Sequence, residues 1–506
     1  MSYKEQLSDL ERDGSRSVTG QIVAAIEAAI AAGELAPGEK LPPTRELAEL
    51  AGVNHLTAAR AYRRLAELGL VAGQVGKGTF VRAAAPVAGE APRGSASSDS
   101  SAWQQYVLPE DRETYGDRVL TQMFGHRDAE DVIPLMVGYP SPELFPTQRL
   151  AEIAAEVLAQ DGDRALQYGD VEGVPELRAE FAKLGRRWGG VDQADEIVCT
   201  SGARQALTLG ARAILSPGDV VACESPSFIA PIEALRDLGA RILPVPVDEQ
   251  GLDIDALEQL LRRHEIRLLA IQPRLHNPTG RDLAPDRRER LVELARRHSF
   301  FILEDGVYSD LRFEGEPLPS LRALDPDHVV YVDSLSKTVA PGLRMGWAAA
   351  SGPVLDRIAR EKRNDDMAGA TLSQLVIARY LAAGEYDALL ERAIAFHRER
   401  CEVLLGAVDK HLDGLATSSR PRGGAHLWLE LSDRLDERDL YAEARRQGVT
   451  FLPGAAMIPG RPRSTCMRIS YCYLPPVQLV EGARRLGVAI RALRRTRAPR
   501  EAAPIA

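Results

Sequence analysis

"DSLSKTVAPGLRMGW", Asp333–Trp347, is the stretch on which the reading of this chain turns. It follows the apolar run His328-Val-Val-Tyr-Val332, short and β-branched as a buried strand is. Lys337 then sits beside the small hydroxyl residues Ser334 and Ser336, ahead of Pro341-Gly342, and Arg344 follows seven positions later. Loops of Ser, Lys and Gly after buried strands are common. The stretch alone therefore fits an ordinary connection as well as a placed ammonium group.

Working outward, the same pattern of apolar run and polar loop recurs. "EIVCTSGARQAL" passes through a strand near Cys199 to a helix opening near Ala203, and glycine with free N–H groups at a helix start suits a phosphate. "VVACESPSF" ends at the aromatic Phe228, and "LLAIQPRLHNPTG" turns at Asn277-Pro278-Thr279-Gly280. "FFILEDGVYSD" sets Asp305 directly after a strand, with Tyr308 three residues on. From about Asp131 onward such runs alternate with amphipathic helical stretches, the pattern of an α/β domain with a mostly parallel sheet. In such sheets ligands gather outside the carboxyl ends of the strands, so these loops are expected to converge on one crevice.

A phosphate nest, a flat aromatic, a buried carboxylate, a polar pair and a lysine together match pyridoxal 5′-phosphate. A deprotonated lysine amine condenses with an aldehyde. A carboxylate facing the pyridine nitrogen keeps it protonated, so that the ring withdraws electrons. On this reading Lys337 holds the aldehyde, Asp305 meets the ring nitrogen and Phe228 stacks on the ring. Asn277 and Tyr308 bond the ring 3′-oxygen, while Ser334, Ser336, Arg344 and the backbone near Gly202 and Ala203 surround the phosphate, with Arg204 a weaker candidate. Each residue alone also fits a plainer role: Asp305 a helix cap, Phe228 core, Tyr308 loop packing, Asn277–Gly280 an ordinary turn. Their joint occurrence in one order favours the cofactor.

The chain of 506 residues is too long for one ordinary domain, and with 45% hydrophobic residues it can bury a large core. Its net charge of −9 argues against a globally basic nucleic-acid binder but leaves room for a local basic patch. Five cysteines without a Cys-x-x-Cys pair argue against a disulfide framework or a structural zinc site, and no metal is expected. The polar start and the lack of an apolar run of about 18 residues predict a cytoplasmic protein without a membrane span. Composition divides it into a first domain over 1–82, a linker rich in Ala, Pro, Gly and Ser over 83–130, an α/β domain over 131–490 and a basic, fraying tail over 491–506.

In the first domain "TGQIVAAIEAAIAAGEL" has apolar residues at helical spacing, and "RELAELAGV" is a short helix stopped at Gly52. Asn54 can then cap a helix carrying Leu56, Tyr62, Leu65 and Leu68 on its apolar side. Two helices joined by a short turn make a helix-turn-helix. The second shows His55, Thr57 and Arg60 near its start, where a recognition helix faces bases or phosphates. From Asn54 to Arg64 there are three arginines and no acid, and "GLVAGQVGKGTFVR" reads as a β-hairpin wing with Lys77 toward phosphate. Arg45 joins these residues as a candidate DNA contact. A small helical interaction domain with a solvated basic face is the plainer alternative.

These residues carry three resemblances. Pro37-Gly38, Leu41-Pro42, Arg45-Glu46-Leu47-Ala48, Gly52-Val53, Thr57, Ala61-Tyr62, Leu65 and Gly76-Lys77-Gly78-Thr79-Phe80-Val81 resemble the winged helix-turn-helix of GntR-type regulators. Asn54-His55-Leu56 departs from that family's commoner Ser-Arg-Asn. Asn277-Pro278-Thr279-Gly280, Asp305-x-x-Tyr308 and Ser334-x-Ser336-Lys337…Pro341-Gly342-x-Arg344-x-Gly346 resemble the fold-type I pyridoxal-phosphate family, the aspartate aminotransferase superfamily. That resemblance implies a smaller α+β subdomain and the internal aldimine at Lys337. It also implies Tyr168 reaching a partner subunit's phosphate in a homodimer, and Arg468 pairing with a substrate carboxylate. Arg468 also fits a solvated strand edge. Joined in this order, the two halves resemble the MocR subfamily of bacterial regulators. The resemblance implies a head-to-tail dimer on DNA that senses an amine or amino acid by external aldimine formation. The alternative is a metabolic aminotransferase, with a decarboxylase or lyase on the same fold behind it.

Overall fold

The computed structural model describes residues 3–8, 10, 18–36, 38–67, 70–74, 78–81, 114–116, 118–119, 121, 131–460 and 462–497. Lys77, Leu68, most of the linker read over 83–130 and the last residues of the tail lie outside the described residues. The chain divides into two compact units, Met1–Arg112 and Glu113–Ala506.

In the first unit α1 (Tyr3–Ser8), α2 (Val18–Ala31), α3 (Thr44–Leu50) and α4 (His55–Glu67) precede an antiparallel pair, β1 (Val71–Gln74) and β2 (Gly78–Val81). The α4 start is fixed by Asn54, whose Oδ1 accepts from the Thr57 amide at 2.8 Å and from its hydroxyl at 3.0 Å. Ala58, Ala61, Tyr62 and Leu65 repeat at i, i+3, i+4 and i+7 and are buried, against Ile22, Ile26 and Leu47 among others. Leu56 was expected on that apolar side but is 68% exposed, because the helical period turns it away from this stripe. The Tyr62 hydroxyl donates to the Pro42 carbonyl at 2.6 Å, tying α4 to the entry of α3. The amides of Gly38 and Leu41 donate to Val81 and Thr79, and Val81 returns a bond to Glu39, so the pre-α3 segment lines the outer edge of the hairpin.

The second unit contains β3 (Ile133–Pro134), β4 (Ile197–Thr200), β5 (Val220–Ser225), β6 (Arg241–Asp248), β7 (Gly251–Leu252), β8 (Ile266–Ile271), β9 (Phe301–Asp305), β10 (Val329–Ser334) and β11 (Gly346–Ala349). It continues with β12 (Ala416–Ser418), β13 (His426–Leu431), β14 (Val449–Thr450), β15 (Leu452–Pro453) and β16 (Cys466–Ser470). Eight strands form one sheet in the order β4-β11-β10-β9-β8-β5-β6-β7. The run from β10 to β6 is parallel, while β11 and β7 are antiparallel to their neighbours. Helices cover both faces, as the near-continuous apolar strands require: Ala206 and Leu209 pack with Val221 and Val330, and Leu291 and Ala295 with Leu269 and Ile302.

Trp347, in the stretch quoted at the outset, is fully buried between Phe181 and Tyr331, with ring centroids at 5.8 and 5.1 Å. Its replacement by Ala is expected to cost about 3–5 kcal/mol. Four antiparallel strands, β12-β13-β16-β15, form the smaller subdomain, backed by the helices Tyr386–His411 and Pro476–Arg497. The last of these corrects the expected tail: the first seven residues of 491–506 continue a helix whose inward side includes Leu486 and Ile490. All five cysteines are buried and unpaired. Among the described residues no helix is long and apolar enough to cross a membrane.

Candidate functional site

The carboxyl ends of β8, β9 and β10 and the loop after β4 open onto a cavity of about 240 Å³ that β13 and β16 close from the other side. Ala203, Arg204, Phe228, Asn277, Asp305, Tyr308, Ser334, Ser336, Lys337, Arg344 and Arg468 all line it. Gly202 stands directly at its rim as the N-cap of the helix Ala203–Ile214, at φ +97, a conformation that glycine adopts freely. Tyr168 does not line the cavity; it is 77% exposed on the surface of its own chain.

The parallel β10–β9 register pairs Val332 with Asp305 and the antiparallel β10–β11 register pairs Ser334 with Gly346, so strand ends set the spacing of the functional loops. Lys337 Nζ donates to the Gly138 carbonyl at 2.8 Å and lies 5.7 Å from the Tyr308 ring centroid. Burial brings its pKa down to about 8, and the nearby Arg468 and Arg344 guanidiniums act in the same direction. Burial pushes Asp305 up to about 6, and the carboxylate accepts from the Val307 amide at 3.1 Å. Both groups therefore titrate near neutrality, where a proton can be held or released at little cost.

Arg468 is buried, and that burial lowers its pKa to about 10. Its Nη1 donates to Asn277 Oδ1 at 3.2 Å and its Nη2 to the Met136 carbonyl at 3.0 Å, while Nε has no acceptor among the described residues. With its oxygen engaged, Asn277 turns its amide nitrogen elsewhere; its backbone amide is fixed by Gln272 Oε1 at 2.8 Å. The Asn277–Pro278 peptide bond is cis.

At the rim, Arg344 donates to the Ser201 carbonyl at 2.6 Å, and Ser334 Oγ accepts from the Ser336 amide at 3.0 Å. The helix Ala203–Ile214 has no side-chain cap, so its first-turn N–H groups lack partners within the helix and point outward. An anion placed there meets backbone donors, a helix dipole, hydroxyls and a guanidinium together.

Sequence reasoning did not single out Gly138, Tyr139, Gln272 or His426, which also line the cavity. His426 Nε2 lies 2.9 Å from the Tyr308 hydroxyl and Nδ1 lies 2.9 Å from Ser470 Oγ. In "GGAHLWLEL" this histidine stands inside a strand pattern, where one polar residue gives no signal of its own.

The donor set fits pyridoxal 5′-phosphate. A lysine amine that is partly neutral near pH 8 suits the aldehyde, and a buried carboxylate without an arginine partner suits a pyridinium nitrogen. The open helix start with Arg344 and Ser334 suits the phosphate.

In the first unit, His55, Arg60 and Arg63 on α4 are exposed, as is Arg45 on α3. Thr57 is half-buried in the Asn54 cap, so both of these predicted contacts also serve the helix start. Lys77 lies outside the described residues.

The GntR family of bacterial regulatory proteins matches residues 18–81, and the family of class I and II aminotransferases matches residues 130–486. The chain is 30% identical over 487 residues to the HTH-type transcriptional regulator TauR of Rhodobacter capsulatus, covering 94% of this chain and 97% of that protein. It is 36% identical over 360 residues to the 2-aminoadipate transaminase of Thermus thermophilus, covering 70% of this chain and 89% of the other. Among solved structures, LysN, an α-aminoadipate aminotransferase from Thermus thermophilus complexed with N-(5′-phosphopyridoxyl)-L-leucine, matches with a TM-score of 0.71 at 32% identity. It covers 78% of this chain and is itself covered in full. The chain thus belongs to the class I and II aminotransferase family of the pyridoxal-phosphate fold. With a GntR winged helix ahead of that domain, it has the MocR architecture of DNA-binding regulators, and its cofactor is pyridoxal 5′-phosphate.

Proposed function

We propose that the protein is a transcriptional regulator that holds pyridoxal 5′-phosphate on Lys337 and senses a carboxylate-bearing amine or amino acid there. The observation that carries this reading is the convergence of Lys337, Asp305 and Arg468 on one cavity in a chain whose α4 exposes Arg60 and Arg63. When bound, the cofactor supplies an aldehyde that exchanges its carbon–nitrogen bond between the lysine and an incoming amine.

The chain's own residues do the rest. Lys337, once displaced, is a neutral or singly protonated amine at the cavity floor and can take up or return a proton. Asp305 holds a proton facing the ring nitrogen. Arg468 offers an unpaired Nε–H to a carboxylate, in a buried setting where a charge-assisted bond is strong. Phe228 offers a face, while Asn277 and Tyr308 offer donors at the ring edge. Gly202, Ala203, Ser334, Ser336 and Arg344 surround the phosphate, with Arg204 at the margin.

In the first unit, Arg45, His55 and Arg60, with Asn54 and Thr57 at the helix start and Lys77 on the wing, meet operator DNA. Exposed Leu166 and Tyr168 suit a second copy of the chain, with Tyr168 reaching the partner's phosphate in a head-to-tail homodimer. DNA as the target implies a cytoplasmic setting. A ligand changes DNA binding only if its affinity differs between two arrangements of the dimer.

The test is a selection of DNA sites from a random library with the cofactor-loaded protein, followed by titration with amino acids. A shift in DNA affinity with one amino acid, without 2-oxo acid release, supports the regulator. Steady 2-oxo acid release with no change in DNA affinity supports the aminotransferase reading, which the presence of Lys337, Asp305 and Arg468 also favours.

A further inference from the structure

His426 and Ser470 lie directly opposite each other on β13 and β16, and their side chains meet at 2.9 Å. From the other ring nitrogen, a 2.9 Å bond crosses from the small subdomain to the Tyr308 hydroxyl on the loop after β9. The Tyr308 and His426 rings meet edge to face, with centroids 5.6 Å apart at 83°. All three side chains are buried, and among the described residues neither hydroxyl has a second partner. Gly138 makes room for this ring: a Cβ there would stand 2.7 Å from His426 Cε1.

A neutral imidazole has one donor and one acceptor, so only two arrangements exist. If Nδ1–H donates to Ser470, Tyr308 must give its proton to Nε2, and the buried Ser470 proton has no acceptor. If Ser470 donates to Nδ1, then Nε2–H donates to the Tyr308 oxygen and the Tyr308 proton is free for the cavity. With an acceptor in the cavity only the second arrangement satisfies every group, and an unmade buried bond is the costlier state.

We propose that His426 is a positioning residue: held by Ser470, it donates Nε2–H to the Tyr308 oxygen and aims the Tyr308 proton at the ring oxygen of the bound aromatic aldehyde. The proposal rests on the reading that this cavity holds pyridoxal 5′-phosphate. Arg468 from the same small sheet and Lys337 from the loop after β10 face the imidazole as cations, and His397 from the helix Tyr386–His411 faces it as a buried imidazole whose pKa burial lowers to about 3, while Asp305 and Cys472 lie near its Tyr308 partner. Burial, with the Arg468 and Lys337 cations acting in the same direction, keeps His426 uncharged, as a relay with one donor and one acceptor requires.

The test is a pH titration of the visible band of the cofactor-loaded full-length protein. A donor on the ring oxygen stabilises its negative charge, so the lysine-bound cofactor loses its proton at a lower pH. His426→Phe is expected to raise the transition by about half to one pH unit. Ser470→Ala raises it less, and His426→Gln, which keeps an N–H near Nε2, stays close to the unmodified protein. Adding His426→Phe to Tyr308→Phe changes nothing further. A transition unmoved in both His426→Phe and Ser470→Ala, or one that moves equally with and without Tyr308, overturns the proposal while leaving the cofactor reading intact. Failure of the unmodified protein to take up the aldehyde at all overturns that reading and this proposal together.

Discussion

Arg60 and Arg63 on α4 stand in solvent and form no ion pair among the described residues, whereas Arg468 is buried and donates to acceptors at 3.2 and 3.0 Å. Water stabilises an unpaired surface cation at little cost, and its field acts on a polyanion that brings its own charges. A buried cation has no such solvent and has to be fixed by bonds before its ligand arrives. The first region is built for a partner whose position varies along a groove, and the second for one whose atoms are placed singly.

The sharpest break in this contrast is Lys337→Ala. Without the amine, pyridoxal phosphate is expected to wash out completely, with loss of the visible band and of borohydride labelling, while DNA affinity without effector persists in a gel shift. Arg468→Ala comes next. Affinity for carboxylate-bearing amines is expected to fall about a hundredfold in a spectral titration, roughly 2–3 kcal/mol, while amines lacking the carboxylate bind as before.

Replacing both Arg60 and Arg63 by Ala is expected to weaken DNA binding about tenfold near physiological salt. It should also flatten the logarithmic salt dependence by about two, with the cofactor spectrum unchanged. The smallest effect is a pH profile. Because burial holds Lys337 near pH 8, its neutral fraction and the rate of cofactor capture rise up to about pH 8 and then level off. An exposed lysine would keep gaining to about pH 10.4. A rate still climbing at pH 9.5 in stopped-flow absorbance would show that the amine is not desolvated.

Sequence and structure agree where strand ends carry the chemistry. Asp305, Ser334 and Thr200 close their strands, and Asn277, Lys337 and Gly202 follow within a loop, so reading where apolar runs stop located the cavity. His426 escaped because it opens its strand, whereas the reading followed the loops where apolar runs stop, and alternation reports which face a residue takes but not what the opposing domain places there. Gly138 escaped because its requirement is a neighbour 288 positions away that would meet a Cβ at 2.7 Å. Leu56 was misplaced for the opposite reason: an apolar residue near a helix start joins the buried stripe only if its angle matches, and Ala58, Ala61, Tyr62 and Leu65 set that angle elsewhere. Small alanines carried the packing while the larger leucine drew the reading.

The span Met136–Gly138 holds both cations at once, its first carbonyl on Arg468 and its last on Lys337. A guest that recruits the guanidinium and frees the amine unfastens the same three residues at two points. Removing either cation, by Lys337→Ala or Arg468→Ala, therefore leaves one of those two carbonyls without the partner that now holds it.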